Sequence, residues 1–65
     1  MNDTYISLRK QRNISIFEAS RLLDISVEDY RLKESGLINF DLDEADKLSS
    51  YLGLPITVVF IEYFF

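Results

Sequence analysis

The stretch SIFEASRLLDISVEDYRLKESG, residues 15–36, decides the fold because it starts two helices in quick succession. Ser15 is followed three residues later by Glu18, and Ser26 by Asp29, so each serine hydroxyl can accept a hydrogen bond from the amide three residues on. We also expect the Glu18 carboxylate to reach back to the Ser15 amide, which would complete a capping box. The spacing predicts two helices joined by about three residues, which is a helix-turn-helix.

Signals outside this stretch predict two further helices. A first helix over about residues 5–12 follows Thr4 and Asp3, either of which can cap it. Another helix begins after Asp41, whose carboxylate suits the N-cap position, and ends at Gly53, where glycine tolerates the left-handed conformation that closes many helices. The apolar residues between these signals recur at helical spacing, as expected for one face packed on a core.

The carboxyl-terminal segment is open to two interpretations. Residues 56–61 are rich in β-branched side chains, which favours a strand, but a single strand in a helical chain leaves its backbone without partners. Pro55 suits the start of a helix, so we predict a short fifth helix and keep an extended segment as the alternative. The expected fold is all-α: one compact five-helix domain over residues 1–65, with 61–65 as an aromatic carboxyl-terminal extension.

The composition argues against catalysis and metal binding. The chain has no histidine and no cysteine, so it lacks an imidazole base, a thiol nucleophile and the ligands that zinc and copper prefer. The acidic segment 41–46 lacks the glycine and the final glutamate of an EF-hand loop, and helix capping explains it better. We expect no enzymatic activity, no metal and no cofactor.

The sequence also predicts where the protein works. The longest apolar run, residues 54–65, is interrupted by Glu62 and is too short to span a bilayer. The first twenty residues hold no apolar leader segment, and the lack of cysteine is typical of a reducing compartment. A cytoplasmic protein without a membrane partner is expected.

Charge limits where a nucleic-acid face can lie. The net charge is −4, but residues 1–36 hold six basic and six acidic residues, whereas residues 37–65 hold one basic and five acidic. A face that attracts phosphate is therefore expected before Gly36. The candidates for phosphate contact are Arg9, Lys10, Arg12, Arg21 and Arg31. An ordinary solvated surface explains these residues equally well.

Six short groups of residues stand along most of the chain: Leu8-Arg9, Ile14-Ser15, Glu18-Ala19, Ile25-Ser26, Glu34-Ser35-Gly36 and Leu52-Gly53-Leu54. Their order and spacing form one pattern. Over about residues 8–60 it resembles the Cro/repressor-type (XRE-type) helix-turn-helix regulators common in phages. The resemblance implies a repressor-like domain that binds operator DNA as a homodimer, with its third helix in the major groove. It also implies a buried ion pair between Arg9 and Glu34. The positions that would face the bases are Val27, Glu28, Arg31 and Leu32.

Three departures from the family pattern favour a different function. Ile16 stands where these proteins commonly have a phosphate-binding glutamine, and Leu37-Ile38-Asn39 replaces a loop that is often basic. Glu28 and Asp29 open the recognition helix and would be repelled by phosphates, although Glu28 can accept a hydrogen bond from cytosine N4. The alternative is a protein-binding module on the same scaffold, an antirepressor or an inhibitor of a host defence protein, that does not bind DNA.

The aromatic tail lies beyond the family domain. A chain of 65 residues has little interior left for Ile61, Tyr63, Phe64 and Phe65. Exposed apolar patches usually mark an interface, and homodimers are the commonest assembly, so these residues are predicted to form a dimer contact. Packing against the first helix of the same chain is the alternative.

Overall fold

The computed structural model describes residues 2–64, which fold into five α-helices and a final 3-10 turn. That part of the chain contains no strand. The all-α prediction is therefore confirmed, and the extended alternative for residues 56–61 is wrong. The helices are α1 (Asp3–Gln11), α2 (Ile16–Leu22), α3 (Val27–Ser35), α4 (Leu42–Leu52) and α5 (Ile56–Val59), and the 3-10 turn covers Ile61–Tyr63.

Side chains cap the starts of the three central helices as predicted. The Glu18 amide donates to Ser15 Oγ at 3.0 Å, and the Asp29 amide donates to Ser26 Oγ at 3.1 Å. Helix α4 has a complete capping box, in which the amide of Glu44 donates to Asp41 Oδ1 at 2.8 Å and the amide of Asp41 donates to Glu44 Oε1 at 3.0 Å. Local sequence therefore fixes where α2, α3 and α4 begin.

Two of the expected caps are wrong. Helix α1 begins at Asp3 rather than at residue 5, and its cap comes from a distant residue: the amide and hydroxyl of Thr4 both donate to Glu62 Oε2, at 3.0 and 2.8 Å. The Glu18 carboxylate accepts a hydrogen bond from the Tyr51 hydroxyl of α4 rather than from the Ser15 amide. In both cases a tertiary contact replaces the local one.

The turn between α2 and α3 makes the helix-turn-helix possible. Asp24 adopts a left-handed conformation with φ of 56°, which aspartate tolerates better than most residues with a Cβ. The amide of Ile25 then donates to the Ser20 carbonyl at 3.1 Å, which folds the connection back onto α2. The two helices pack against each other, as the spacing of their start signals predicts.

An aromatic cluster joins the helices that lie far apart in sequence. The Tyr5 ring of α1 stacks on Phe60 at a centroid distance of 5.2 Å and meets the edge of Phe40 at 5.8 Å. Tyr30 of α3 packs on the other side of Phe40 at 6.0 Å. All four rings are buried. Such pairs add about 0.5–1.5 kcal/mol each beyond simple burial, so this cluster is a main source of cohesion between α1, α3 and the segment after α5.

The serine caps give the first test. We expect Ser15→Ala and Ser26→Ala each to lower the free energy of unfolding by about 1 kcal/mol, because each leaves a helix-start amide without its acceptor. Ser7→Ala is a matched control, since Ser7 is exposed within α1 and alanine suits a helix interior. Urea denaturation followed by circular dichroism measures all three. Equal midpoints for the cap variants and the control would contradict the assignment.

Candidate nucleic-acid interface

Helix α3 is held from its inner side by a buried ion pair with α1. Arg9 Nε lies 3.2 Å from Glu34 Oε2, and Arg9 Nη2 donates to Glu34 Oε1 at 3.2 Å. Arg9 Nη1 donates to the Ile14 carbonyl at 2.7 Å, which also ties in the turn before α2. Only 7% of Arg9 is exposed. The ion pair implied by the resemblance is present, and the prediction that Arg9 contacts phosphate is wrong because its guanidinium is enclosed within the protein.

A pair of tyrosine hydroxyls forms a second tie between the same helices. The hydroxyl oxygens of Tyr5 and Tyr30 lie 2.6 Å apart and share a hydrogen bond. Burial raises the pKa of Tyr5 to about 12. Burial, and then the neighbouring Glu34 carboxylate and the Tyr5 hydroxyl, raise the pKa of Tyr30 far above its ordinary value of 10.0. Both hydroxyls are neutral over the physiological range, and their protons hold α1 against α3.

A third tie comes from a residue that the sequence did not single out. Asn2 is buried, and its Nδ2 donates to the carbonyls of Lys33 and Glu34 at 2.9 and 3.1 Å. Its Oδ1 accepts from the Tyr63 hydroxyl at 2.8 Å. Asn2 thus supplies a hydrogen-bond donor to two carbonyls in the last turn of α3 and links that turn to the carboxyl-terminal segment. Nothing in the local pattern around Asn2 indicates this role, because its partners lie at least 31 residues away.

The three ties leave the outer face of α3 free. Four of its exposed residues, Glu28, Arg31, Leu32 and Ser35, recur at spacings of three and four and form one stripe, which we call the α3 stripe. Three of the four predicted base-facing residues belong to this stripe, while Val27 is half-buried beside it. The stripe combines an anion, a cation, an apolar side chain and a hydroxyl.

An open groove of about 270 Å³ runs beside the α3 stripe. It is lined by Ile6, Ile16, Arg31, Glu34 and Ser35, and so brings α1, the start of α2 and α3 together. The Glu34 carboxylate is paired with Arg9. Arg31 forms no ion pair with any of residues 2–64, so it is the free cation of the groove. Ile16 supplies apolar surface at the point where the family pattern has glutamine.

The remaining predicted cations are exposed but differ in position. Lys10 lies one turn after Ile6 on α1 and therefore on the groove side of that helix. The Arg21 guanidinium lies 5.7 Å from the centroid of the Phe17 ring, a cation–π contact on α2. Arg12 follows α1. Lys10, Arg12 and Arg21 do not line the groove, so Arg31 is the one predicted phosphate-contacting cation among residues 2–64 that both lines it and is exposed.

The carboxyl-terminal aromatics divide into two groups. Tyr63 packs within its own chain, with its ring stacked on Phe60 at 5.7 Å and its hydroxyl on Asn2, but it stays partly exposed, so its role as a dimer residue stays a prediction. Ile61 and Phe64 remain exposed, together with Val58. Phe65 lies outside the described residues. The exposed tail face is therefore Val58, Ile61 and Phe64, spaced three residues apart.

No helix in residues 2–64 is long and apolar enough to cross a membrane. Comparison of the chain with models of known protein families, with curated proteins and with solved structures finds no match. The resemblance to XRE-type regulators therefore stays a prediction. The structure itself has five α-helices and an Arg9–Glu34 ion pair.

The tyrosine pair predicts how stability depends on pH. The pKa values of both hydroxyls are higher in the folded protein than in the unfolded chain, so their contribution is complete below pH 10 and is lost as the pH rises above it. We expect the free energy of unfolding to fall between pH 10 and 12. The double variant Tyr5→Phe/Tyr30→Phe should show a flatter profile in denaturation series across this range. An equally steep fall in that variant would place the titrating groups elsewhere.

Proposed function

We propose that this protein is a small, phage-like transcriptional regulator that binds operator duplex DNA through α3. The observation that carries the proposal is Arg31, a free cation in the middle of the exposed α3 stripe and at the rim of the adjoining groove. The stripe lies on the second helix of a helix-turn-helix, the element that such domains place in the major groove. The inner face of α3 is fixed by Arg9–Glu34 and Tyr5–Tyr30, so the stripe is presented on a rigid support.

The chemistry of the α3 stripe suits base edges better than phosphates. An arginine can donate two hydrogen bonds to guanine, a glutamate can accept from the cytosine amino group, and an apolar side chain can contact the thymine methyl. Arg31, Glu28 and Leu32 supply these three groups on one face. Specificity would therefore come from direct contacts in the groove.

Electrostatics makes non-specific attraction weak. The net charge is −4, and Glu28 and Asp29 are both exposed at the start of α3, where they repel phosphates. Arg31 is the cation that lines the groove, and Lys10 is an exposed cation on α1. We therefore expect binding with a shallow salt dependence, roughly one to two released counterions per protomer on the usual scale of about 0.9 per neutralised phosphate. Random duplexes would bind poorly at physiological salt.

Two substitutions separate base contact from phosphate contact. A binding sequence is first selected from a random duplex library at low salt, where association is most favoured. Arg31→Ala should then weaken specific binding by about 1–3 kcal/mol, whereas Lys10→Ala should mainly reduce the salt slope by about one unit. Lys47→Ala is the matched control, because Lys47 is an exposed cation on α4. Fluorescence anisotropy across a salt series measures all three.

The same experiment decides between this function and its alternative. Failure to select any duplex at low salt would end the proposal of direct DNA binding. The exposed carboxylates of Glu28 and Asp29 specifically favour the second candidate, a protein-binding module that avoids DNA. If Glu28→Lys/Asp29→Lys creates duplex binding that the native chain lacks, the acidic start of α3 acts as a barrier to DNA and the second candidate replaces the first.

The proposed regulator acts as a homodimer through the exposed tail face of Val58, Ile61 and Phe64. Each of these three apolar side chains is exposed in the chain on its own. The face carries no charge, so two copies can meet across a twofold axis without like-charge repulsion. Operators read by helix-turn-helix dimers have two half-sites about one helical turn apart, which a selected binding sequence would show.

Self-association tests the tail face. Phe64→Ser should lower the association constant of the dimer by about tenfold or more, the change expected when one anchoring aromatic residue is lost. Leu37→Ser is the control, since Leu37 is also exposed but lies in the loop after α3. Sedimentation equilibrium over a range of concentrations measures both variants. A native protein that stays monomeric at high concentration would remove the dimer from the proposal and leave DNA binding by the monomer to be judged separately.

A further inference from the structure

The loop between α3 and α4 exposes apolar side chains that no described residue covers. Leu37 is 78% exposed and Leu42, at the start of α4, is 72% exposed, the two highest values among the large hydrophobic residues described. Ile38 is half exposed between them. The amide of Ile38 donates to the Leu32 carbonyl at 3.2 Å, so the loop is anchored to the last turn of α3. Large apolar side chains held out on an anchored loop are typical of an interaction surface.

The same loop borders a groove that is separate from the one beside the α3 stripe. It is open, about 340 Å³ in volume, and lined by Asn39, Phe40, Glu62 and Tyr63. Two aromatic rings and a carboxylate therefore lie together. Aromatic walls beside a carboxylate form a suitable environment for the stem and charged head of a lysine or arginine side chain.

Glu62 supplies negative charge to this groove at neutral pH. Its burial acts to raise the pKa, but hydrogen bonds from its own amide and from the hydroxyl and amide of Thr4 outweigh that effect and hold the pKa below its ordinary value. The carboxylate uses Oε2 to cap α1, while the buried Oε1 has no hydrogen-bond partner among residues 2–64. Because Oε1 is buried, a cation in the groove would be attracted by the charge of the carboxylate rather than bonded to that oxygen.

Further negative charge surrounds the apolar loop. Asp41, Asp43 and Asp46 are exposed at the start of α4, and Lys47 is the cation on that helix. Duplex DNA would be repelled from this surface. In a symmetric dimer built on it, the same carboxylates would meet their own copies, which is also repulsive. A partner that covers the apolar side chains must therefore bring positive charge.

We propose that Leu37, Ile38 and Leu42, with the adjoining groove at Glu62, form a binding surface for a basic, apolar segment of another protein, which places a lysine or arginine side chain in the groove. This interaction goes beyond DNA binding and does not depend on it, because it uses the loop and α4 rather than the α3 stripe. The surface joins apolar contact area to a complementary charge, the combination that gives both affinity and discrimination between partners.

A designed peptide tests the surface on the intact chain. The probe is a helical peptide of leucine and lysine, about 15 residues long so that it can form a helix, titrated into isotope-labelled protein while amide shifts are recorded. The largest shifts should fall on residues 37–43 and 62–63. Leu37→Ser and Asp43→Lys should each weaken binding by about tenfold, the effect of losing one anchoring contact. Both residues are exposed, so these variants should keep the fold.

Controls separate this surface from general attraction between a cationic peptide and an acidic protein. Phe64→Ser, on the tail face, should leave the affinity unchanged, and a matched peptide with glutamate in place of lysine should not bind. Four outcomes would each overturn the proposal. They are amide shifts that centre on Val58, Ile61 and Phe64, equal binding of the glutamate peptide, unchanged peptide affinity of Leu37→Ser, and no peptide binding at all. Loss of self-association in Leu37→Ser would assign the surface to a second copy and overturn it as well. DNA binding is measured separately, so its failure leaves this result standing.

Discussion

The buried pairing of Arg9 with Glu34 is the contact on which the position of α3 depends. A domain of 65 residues is stabilised by only about 3–10 kcal/mol at the usual 0.05–0.15 kcal/mol per residue. Removal of one partner from a buried ion pair costs about 3–5 kcal/mol, because it leaves a charge without compensation in the interior. Glu34 also lies at the end of the Tyr5–Tyr30 contact, where it helps to hold both hydroxyls neutral. One carboxylate thus supports both the ion pair and the tyrosine pair that fix α3 to α1.

The predictable part of the fold is the part encoded over three or four residues. Ser15, Ser26 and Asp41 start helices where their hydroxyl or carboxylate meets the amide three residues later, and each of these starts is observed. The same local pattern misplaced the start of α1, because its true cap, Glu62, lies 58 residues away from Thr4. A pattern read within one helical turn has no means of finding such a partner.

The residues of the candidate interface also divide into those that sequence predicts correctly and those whose position depends on distant parts of the chain. The family resemblance implies base-facing positions for Glu28, Arg31 and Leu32, and all three are exposed on one face of α3. The charge of Arg9 made it a candidate for phosphate contact. Its burial could not be predicted from charge, because burial depends on which helix packs against α1. The small interior of a 65-residue chain predicts that Tyr63 lies in an exposed contact. In the structure its hydroxyl donates to Asn2 Oδ1 within the same chain. Long-range hydrogen bonds of this kind follow from the assembled fold.

The two grooves divide the surface by charge. The groove beside the α3 stripe has a free arginine at its rim, whereas the groove near the α3–α4 loop has a carboxylate and acidic neighbours. A polyanion and a polycation would therefore bind different sides of the protein. The net charge of −4 alone would predict binding of the polycation only. Ile38 is bonded to the carbonyl of Leu32, a member of the α3 stripe, so the two surfaces meet at the end of α3.

The capping of α1 by Glu62 has a consequence for synthesis on the ribosome. Domains fold as units, and a helix of nine residues is too short to be stable on its own in water. Helix α1 is synthesised well before Glu62 and Tyr63, so water bonds the Thr4 amide until Glu62 is available, and Asn2 Oδ1 lacks its protein donor until Tyr63 is available. The partners of Tyr5 in the aromatic cluster also follow it by at least 35 residues, so the aromatic face of α1 stays exposed during that part of synthesis.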